Sequence, residues 1–390
     1  MPQSGLQPFD LRLDAFESGV RYFAALTVHE SNGGTTRRDI ELFDFRHTLS
    51  LSRRVFARVE QLIARGSLTR EALVEPDLQM HLAELNTALF AIRLTASGET
   101  LRDVFKRVLG IGRTPGIIVG GAMRLVPWEL TTPDHANGPD GFLGSRAHIT
   151  GSTDPEPGGK SSDGAPIYLP RRRTNILGVE DAVHLRAIGN MALEDAAAEA
   201  RLVNAPNGMT TGVVAPSLTP GAAKVPFFDH FGLTGYELVH VFAHCHYDGG
   251  GFALAVSNDV GISRRDFDRH EVMFPGGAFH FLNVCSGAPT PATETFSFLD
   301  YMVLQQMAGG VLASLTSVRS TAAVAMATEF YRAFLPAQPN VYGATAAEAL
   351  MQARRALWER DEAAGYLYRT FGRQDTVLGP LANMLEAENV

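Results

Sequence analysis

From Pro115 onward the sequence is a succession of short apolar runs separated by stretches of helix length. That alternation constrains the fold more than any other feature. The runs are GIIVGGA (116–122), NILGVE (175–180), TTGVVAP (210–216), ELVHVFAH (237–244), AFHFLNVC (278–285) and GVLASLTSV (310–318). Short, nearly continuous apolar runs bounded by turn residues are what strands buried on both faces require. Between them lie LEDAAAEARLVN (193–204), VPFFDHF (225–231) and TFSFLDYMVLQQMAGG (295–310), the last closing on glycines suited to a helix C-cap. Two more helices follow, TAAVAMATEFYRAFL and TAAEALMQARRALWER. The second opens on Thr345 with Glu348 three residues on, a capping box. Strands joined by helical crossovers predict a mostly parallel sheet covered on both faces.

The first 110 residues have a different texture. LRLDAFESGVRYFAALTVHE is strand-like, and TLSLSRRVFARVEQLIARG and LQMHLAELNTALFAIRL read as helices. In the second helix Leu78, Leu82, Leu85, Leu89 and Ile92 recur at helical spacing, a core stripe. The segment GSTDPEPGGKSSDGAP (151–166) reads as an exposed loop, and no repeat of solenoid length is visible. A net charge of −8 gives no electrostatic footprint for nucleic acid. Two cysteines in 390 residues exclude a disulfide scaffold and make a reducing compartment the default. With no signal pattern at the N-terminus and no apolar run of spanning length, the expectation is a cytoplasmic protein that engages no membrane.

The two cysteines lie at the ends of two apolar runs. In ELVHVFAHCHYDGGG (237–251), His240, His244 and His246 fall at alternate positions, with Cys245 between the last two. In GAFHFLNVCSGAPT (277–290), Cys285 stands where the strand gives way to a Gly/Pro-rich turn. His244 and Cys285 are 41 residues apart, one strand–helix–strand unit. A parallel sheet brings both to the same edge on neighbouring strands. There a thiol and an imidazole can meet, and a thiol nucleophile needs such a partner for its proton.

These motifs resemble a known family. LNVCSGA carries the Cys-x-Gly turn of caspase-like peptidases, and VHVFAHCH looks like their strand ending in His-Gly. MRLVPWELTTPD (123–134) and the tail ATAAEALMQARRALWERDE narrow the resemblance to the CHAT branch, over roughly residues 80–378. The resemblance implies a caspase-like three-layer α/β/α sandwich with a mostly parallel central sheet. This CHAT domain would occupy 111–390. Residues 1–110 would form an N-terminal α/β region packed against it, either a pseudo-caspase or an accessory part. It implies a cysteine endopeptidase acting on protein substrates, with Cys285 as nucleophile, His244 as base, and backbone N–H groups of Cys245 and Cys285 as the oxyanion hole. No cofactor or metal is called for. Asn283 stands at the substrate-pocket position where caspases carry Gln and basic-specific relatives carry Asp; its neutral amide does not select charge strongly. Asp248 joins the same pocket region and would orient the imidazole. Members of the family are wired to separately encoded sensor or effector proteins, including death effectors in bacterial defence.

Other readings of the same residues stand beside this one. The family places Gly after the histidine and this chain has Cys245, which favours a non-catalytic, peptidase-like interaction module. His246 takes the role of His244 if the strand register shifts by two. The set His240, His244, Cys245, His246 and Asp248 has the ligand types of a zinc site, although same-face ligands along one strand spread too far for a tetrahedron. His240 reads as a packed core histidine, Trp128 as a buried anchor and Glu129 as a structural carboxylate. The two thiols, on neighbouring strand ends, fall within disulfide reach if they meet.

Overall fold

A computed structural model of the chain describes residues 10–29, 34–94, 98–134, 141–152, 176–179, 183–189, 210–215, 228, 237–247, 252–255, 261–270, 278–286, 299, 301–302, 308–335, 341–372 and 376–381. The chain parts into two units, Met1–Leu62 with Arg70–Arg173, and Ile63–Thr69 with Thr174–Val390. The break expected at 110/111 falls inside the first unit. The reason is strand pairing: the first apolar run after residue 110 hydrogen-bonds to the N-terminal strand.

The first unit carries β1 (Leu11–Ser18), β2 (Arg21–His29), β3 (Thr35–Leu42), β4 (Gly116–Gly121) and β5 (His148–Gly151), in the order β5-β4-β1-β2-β3. β1, β2 and β3 form an antiparallel meander, and β4 runs parallel to both β1 and β5. The connection from β3 to β4 carries α1 (Phe45–Arg65), α2 (Pro76–Phe90) and α3 (Leu101–Leu109). α2 starts where Pro76 needs no N–H partner and where the Glu75 carboxylate accepts from the Leu78 N–H; α3 starts on a Thr100/Asp103 capping box. The leucine stripe of α2 is buried as expected, while Ile92 lies beyond the helix end and is partly buried. Trp128 is fully buried, stacked on Phe105 at 5.5 Å between ring centroids, and its indole N–H donates to the Met123 carbonyl at 2.8 Å. Glu129 beside it is also fully buried.

The second unit contains β6 (Ile176–Val179), β7 (Val183–Gly189), β8 (Thr210–Ala215), β9 (Leu238–Tyr247), β10 (Phe252–Ala255), β11 (Gly261–Ser263), β12 (Phe279–Ser286), β13 (Gly310–Ser314), β14 (Tyr368–Gly372) and β15 (Val377–Leu381). The parallel strands follow the order β8-β7-β9-β12-β13. β14 adds antiparallel to β13, β10 and β11 add antiparallel beside the end of β9, and β15 pairs with β6 apart from this sheet. The helices described here are α4 (Arg264–Arg269), α5 (Ser320–Phe334) and α6 (Ala346–Glu359). α6 begins on the expected Thr345/Glu348 capping box. An aromatic cluster joins α5 to the sheet: Phe279 packs on Phe330 and Phe334, and Phe281 on Phe330 and Tyr331. The expected α/β architecture, a mostly parallel central sheet with flanking helices, is the one observed. The stretches 193–204, 225–231 and 295–310 and the loop 151–166 lie mostly outside the described residues.

Two core features carry testable consequences. In the first unit Arg12 and Asp14 are buried together, Nε to Oδ2 at 2.5 Å, and Arg12 also donates to Ser152 Oγ at 3.2 Å. The facing strand admits this pair because Gly120 has no side chain: a Cβ there would sit 1.8 Å from Asp14 Oδ1. Gly120→Ala should therefore separate a buried ion pair and lower the unfolding free energy by about 3 kcal/mol in urea titration. Ser152→Ala, which removes the hydroxyl that accepts from Arg12 and leaves the ion pair in place, should cost about 1 kcal/mol.

In the second unit His280 of β12 is fully buried, and its Nδ1–H donates to the Ala278 carbonyl at 3.1 Å. Burial pulls this imidazole down from 6.5 to about 3, against a weaker upward pull from that hydrogen bond. Its contribution to stability is full above pH 6.5 and is lost as pH falls from there towards 3, because the unfolded chain takes up a proton that the folded chain refuses. Between pH 7 and pH 5 the wild-type unfolding free energy should drop by about 2 kcal/mol more than that of His280→Phe. An equal drop in unfolding free energy for the two chains between the two pH values, measured by urea titration, would refute the assignment.

Candidate active site

The site is built by two neighbouring parallel strands, β9 and β12. Their register sets Phe281 against His240, Asn283 against Phe242, Cys285 against His244 and Ser286 against Cys245. The two residues singled out as a nucleophile–base pair therefore occupy one rung of the ladder. The ladder with β12 stops at Cys245, and His246 lies opposite Ala253 of β10. Of the three alternate histidines of β9, the register brings His244 to Cys285.

The other side of β9 changes partner at the same level. β7 runs beside it from Leu238 to Phe242, and β10 takes over antiparallel from His244 to Tyr247. In the order β8-β7-β9-β12-β13, the chain builds to one side of β7 first and then crosses to the other. The switch point thus falls between β7 and β9, and its carboxyl end is where open α/β sheets form their ligand crevice. His244 lies two residues beyond the last β7–β9 pair, and Cys285 is on the next strand.

Beneath this edge the strands are held by buried polar contacts. His240 is fully buried; its Nδ1 is 2.9 Å from the Tyr331 hydroxyl of α5, and its ring packs edge-on against Phe281 at 4.9 Å. It is the packed core histidine that the sequence predicts. Asn283 is 2% exposed, its Nδ2 donates to the Ala323 carbonyl of α5 at 2.9 Å, and its Oδ1 accepts from the Tyr368 hydroxyl of β14 at 2.7 Å. The pocket role expected for Asn283 thus meets a side chain that is buried and held at both ends of its amide. Tyr331, Tyr368 and Ala323 carry no local sequence signal that links them to the strands they hold; only tertiary packing brings them there.

Cys245 sits in the ladder on both sides, against Ser286 of β12 and Leu254 of β10. It is one step past the Cys285 rung, so the two cysteines hold positions of opposite parity in the two-residue strand repeat and the ladder does not pair them. Asp248 lies outside the described residues. Among the described residues no group of three or more His, Cys, Asp or Glu side chains is placed to hold a metal ion, and no helix is long and apolar enough to cross a membrane.

No curated protein sequence matches the chain. Among solved structures it is similar to the separase of the Saccharomyces cerevisiae separase–securin complex, with 10% identity over 96% of this chain and 30% of that chain and a TM-score of 0.51. It is also similar to the complex of Porphyromonas gingivalis RgpB pro- and mature domains (11% identity, 72% of this chain and 70% of that chain, TM-score 0.44). A third is the Arg specific cysteine proteinase gingipain R (13% identity, 74% of this chain and 69% of that chain, TM-score 0.45). At such identities the likeness is one of fold, and the chain spans less than a third of the separase it resembles. The fold is of the caspase-like kind. The family model described as the CHAT domain matches residues 116–370, well over half of the sequence, from the start of β4 to β14. With that span matched and the fold agreeing, the chain belongs to the CHAT domain family.

Proposed function

We propose that this chain is a cysteine endopeptidase that cleaves protein substrates with a His244–Cys285 dyad. The observation that carries the reading is the ladder rung that sets Cys285 against His244 at the carboxyl edge of the sheet, beside the switch point. In this mechanism the Cys285 sulfur, having given its proton to His244, attacks the scissile carbonyl and forms the C–S bond of a tetrahedral intermediate. The backbone N–H groups of Cys245 and Cys285 receive the oxyanion. Collapse breaks the C–N bond as His244 returns the proton to the leaving amine, and a water activated by His244 then hydrolyses the thioester. Asp248 orients the imidazole. The family resemblance adds a separately encoded sensor or effector protein in bacterial defence or cell death, and the two cysteines and the lack of a signal pattern favour a cytoplasmic setting.

One observation favours a second reading. Cys245 replaces the family glycine and is flanked by strands on both sides, which suits a non-catalytic module that binds peptides without cleaving them. Identification of new protein termini after adding the purified chain to a cell lysate separates the two. The wild-type chain should generate termini that Cys285→Ala and His244→Ala do not, each losing at least 10³-fold in rate. His246→Ala should retain most of the activity. Equal cleavage by wild type and Cys285→Ala would end the peptidase reading, and loss confined to His246→Ala would move the base by two residues.

A further inference from the structure

Helix α6 and strand β14 of the second unit are linked to the cysteine strand by a run of buried polar contacts that the proposed chemistry does not use. Arg354 of α6 is 2% exposed; its Nε donates to the Gly365 carbonyl at 3.1 Å and its Nη2 to the Tyr368 carbonyl at 2.6 Å. Tyr368, fully buried on β14, donates its hydroxyl to Asn283 Oδ1, and Asn283 donates in turn to the Ala323 carbonyl of α5. Asn283 stands two residues before Cys285 on β12, one strand repeat of about 6.5–7 Å. The surroundings are aromatic: Phe281 packs edge-on against Tyr368 at 6.1 Å and against Phe330 at 5.4 Å.

We infer that Tyr368 is a positioning residue for Cys285, acting through Asn283; the inference rests on the peptidase reading above. Apolar packing is nearly indifferent to small slides of a strand along its own axis. A buried carboxamide held by one donor and one acceptor is not, because a slide leaves both ends desolvated and unbonded. An apolar pair of the same shape would serve stability as well. What the polar link adds is a single axial position for β12, and so for Cys285 on its rung with His244. Arg354 fixes the backbone from which the phenol reaches. The turn between α6 and β14 closes tightly on that arginine, since a Cβ on Gly365 would lie 3.2 Å from Arg354 Cα.

The test measures the rate at which iodoacetamide alkylates Cys285, resolved by peptide mass, across a range of pH, with urea unfolding of each variant alongside. Tyr368→Phe removes the hydroxyl alone. It should slow alkylation at pH 7 about tenfold and move the rise of the rate to more alkaline pH, as the thiol loses its partner on the rung. The double variant Tyr368→Phe with Asn283→Leu replaces both partners by apolar groups. It should regain folding stability but stay slow. Phe330→Leu, a packing loss beside the link, should lower stability and leave the pH profile in place. An unchanged profile in Tyr368→Phe, or a rate that returns with stability in the double variant, overturns the inference. A chain that cleaves nothing in the lysate yet shows the Tyr368-dependent profile rejects the peptidase function and keeps the positioning role. Cleavage that depends on Cys285 but not on Tyr368 does the reverse.

Discussion

Everything proposed for this protein depends on the parallel register between β9 and β12. A one-residue slip would set Cys285 against Ala243 or Cys245 rather than His244, and a two-residue slip against Phe242 or His246. Buried apolar side chains, Leu238, Val239 and Val241 on β9 and Phe279, Phe281 and Leu282 on β12, supply cohesion, but their contacts are non-directional and select register less sharply than hydrogen bonds do. The selective contacts are polar. His240 meets Tyr331, and Asn283 meets Tyr368 and Ala323, all inside an aromatic core. Each such hydrogen bond adds only about 1 kcal/mol net, whereas a buried polar group left unbonded by a slip costs about 1–3 kcal/mol. Holding β9 and β12 from the same helix therefore penalises every wrong register at two places.

Topology then decides where the held pair can act. β7 and β10 divide the outer side of β9 between them, and the change of partner falls at the level of His244. A sheet that builds outward in two directions leaves space at the carboxyl ends of the strands where it reverses. His244 and Cys285 stand at that level, and the buried His240 and Asn283 lie below it. The same strands thus carry an apolar, aromatic interior and, a few residues on, the edge where the proposed site lies.

The family match also cuts across the two units. It begins at Gly116, on a strand that pairs with β1, and runs to Thr370 in β14. The glycines of β4 explain part of why that strand belongs with the N-terminal ones. Gly120 leaves room for the Asp14 carboxylate, and Gly121, with a positive φ of 53°, lets the chain turn where a Cβ would meet the Ala15 carbonyl at 2.0 Å.

How much was legible from sequence follows from the range of each interaction. The apolar runs at 116–122, 175–180, 210–216, 237–244, 278–285 and 310–318 each fall on a strand, with β9 and β12 continuing past the run, and the capping box at Thr345 starts its helix, because burial pattern and caps are local properties. β7 does not stand out as a continuous apolar run because His184 and Arg186 alternate with its apolar residues, and β10 and β11 are too short to show a period. The pairing of a histidine strand with a cysteine strand could be expected from their spacing. Which histidine faces the cysteine, where the sheet reverses direction, and that Asn283 is held between Tyr368 and Ala323 were decided by tertiary structure alone. Those contacts join residues 40 and 85 positions apart, and only closing the sheet and packing its helix bring them within hydrogen-bonding distance.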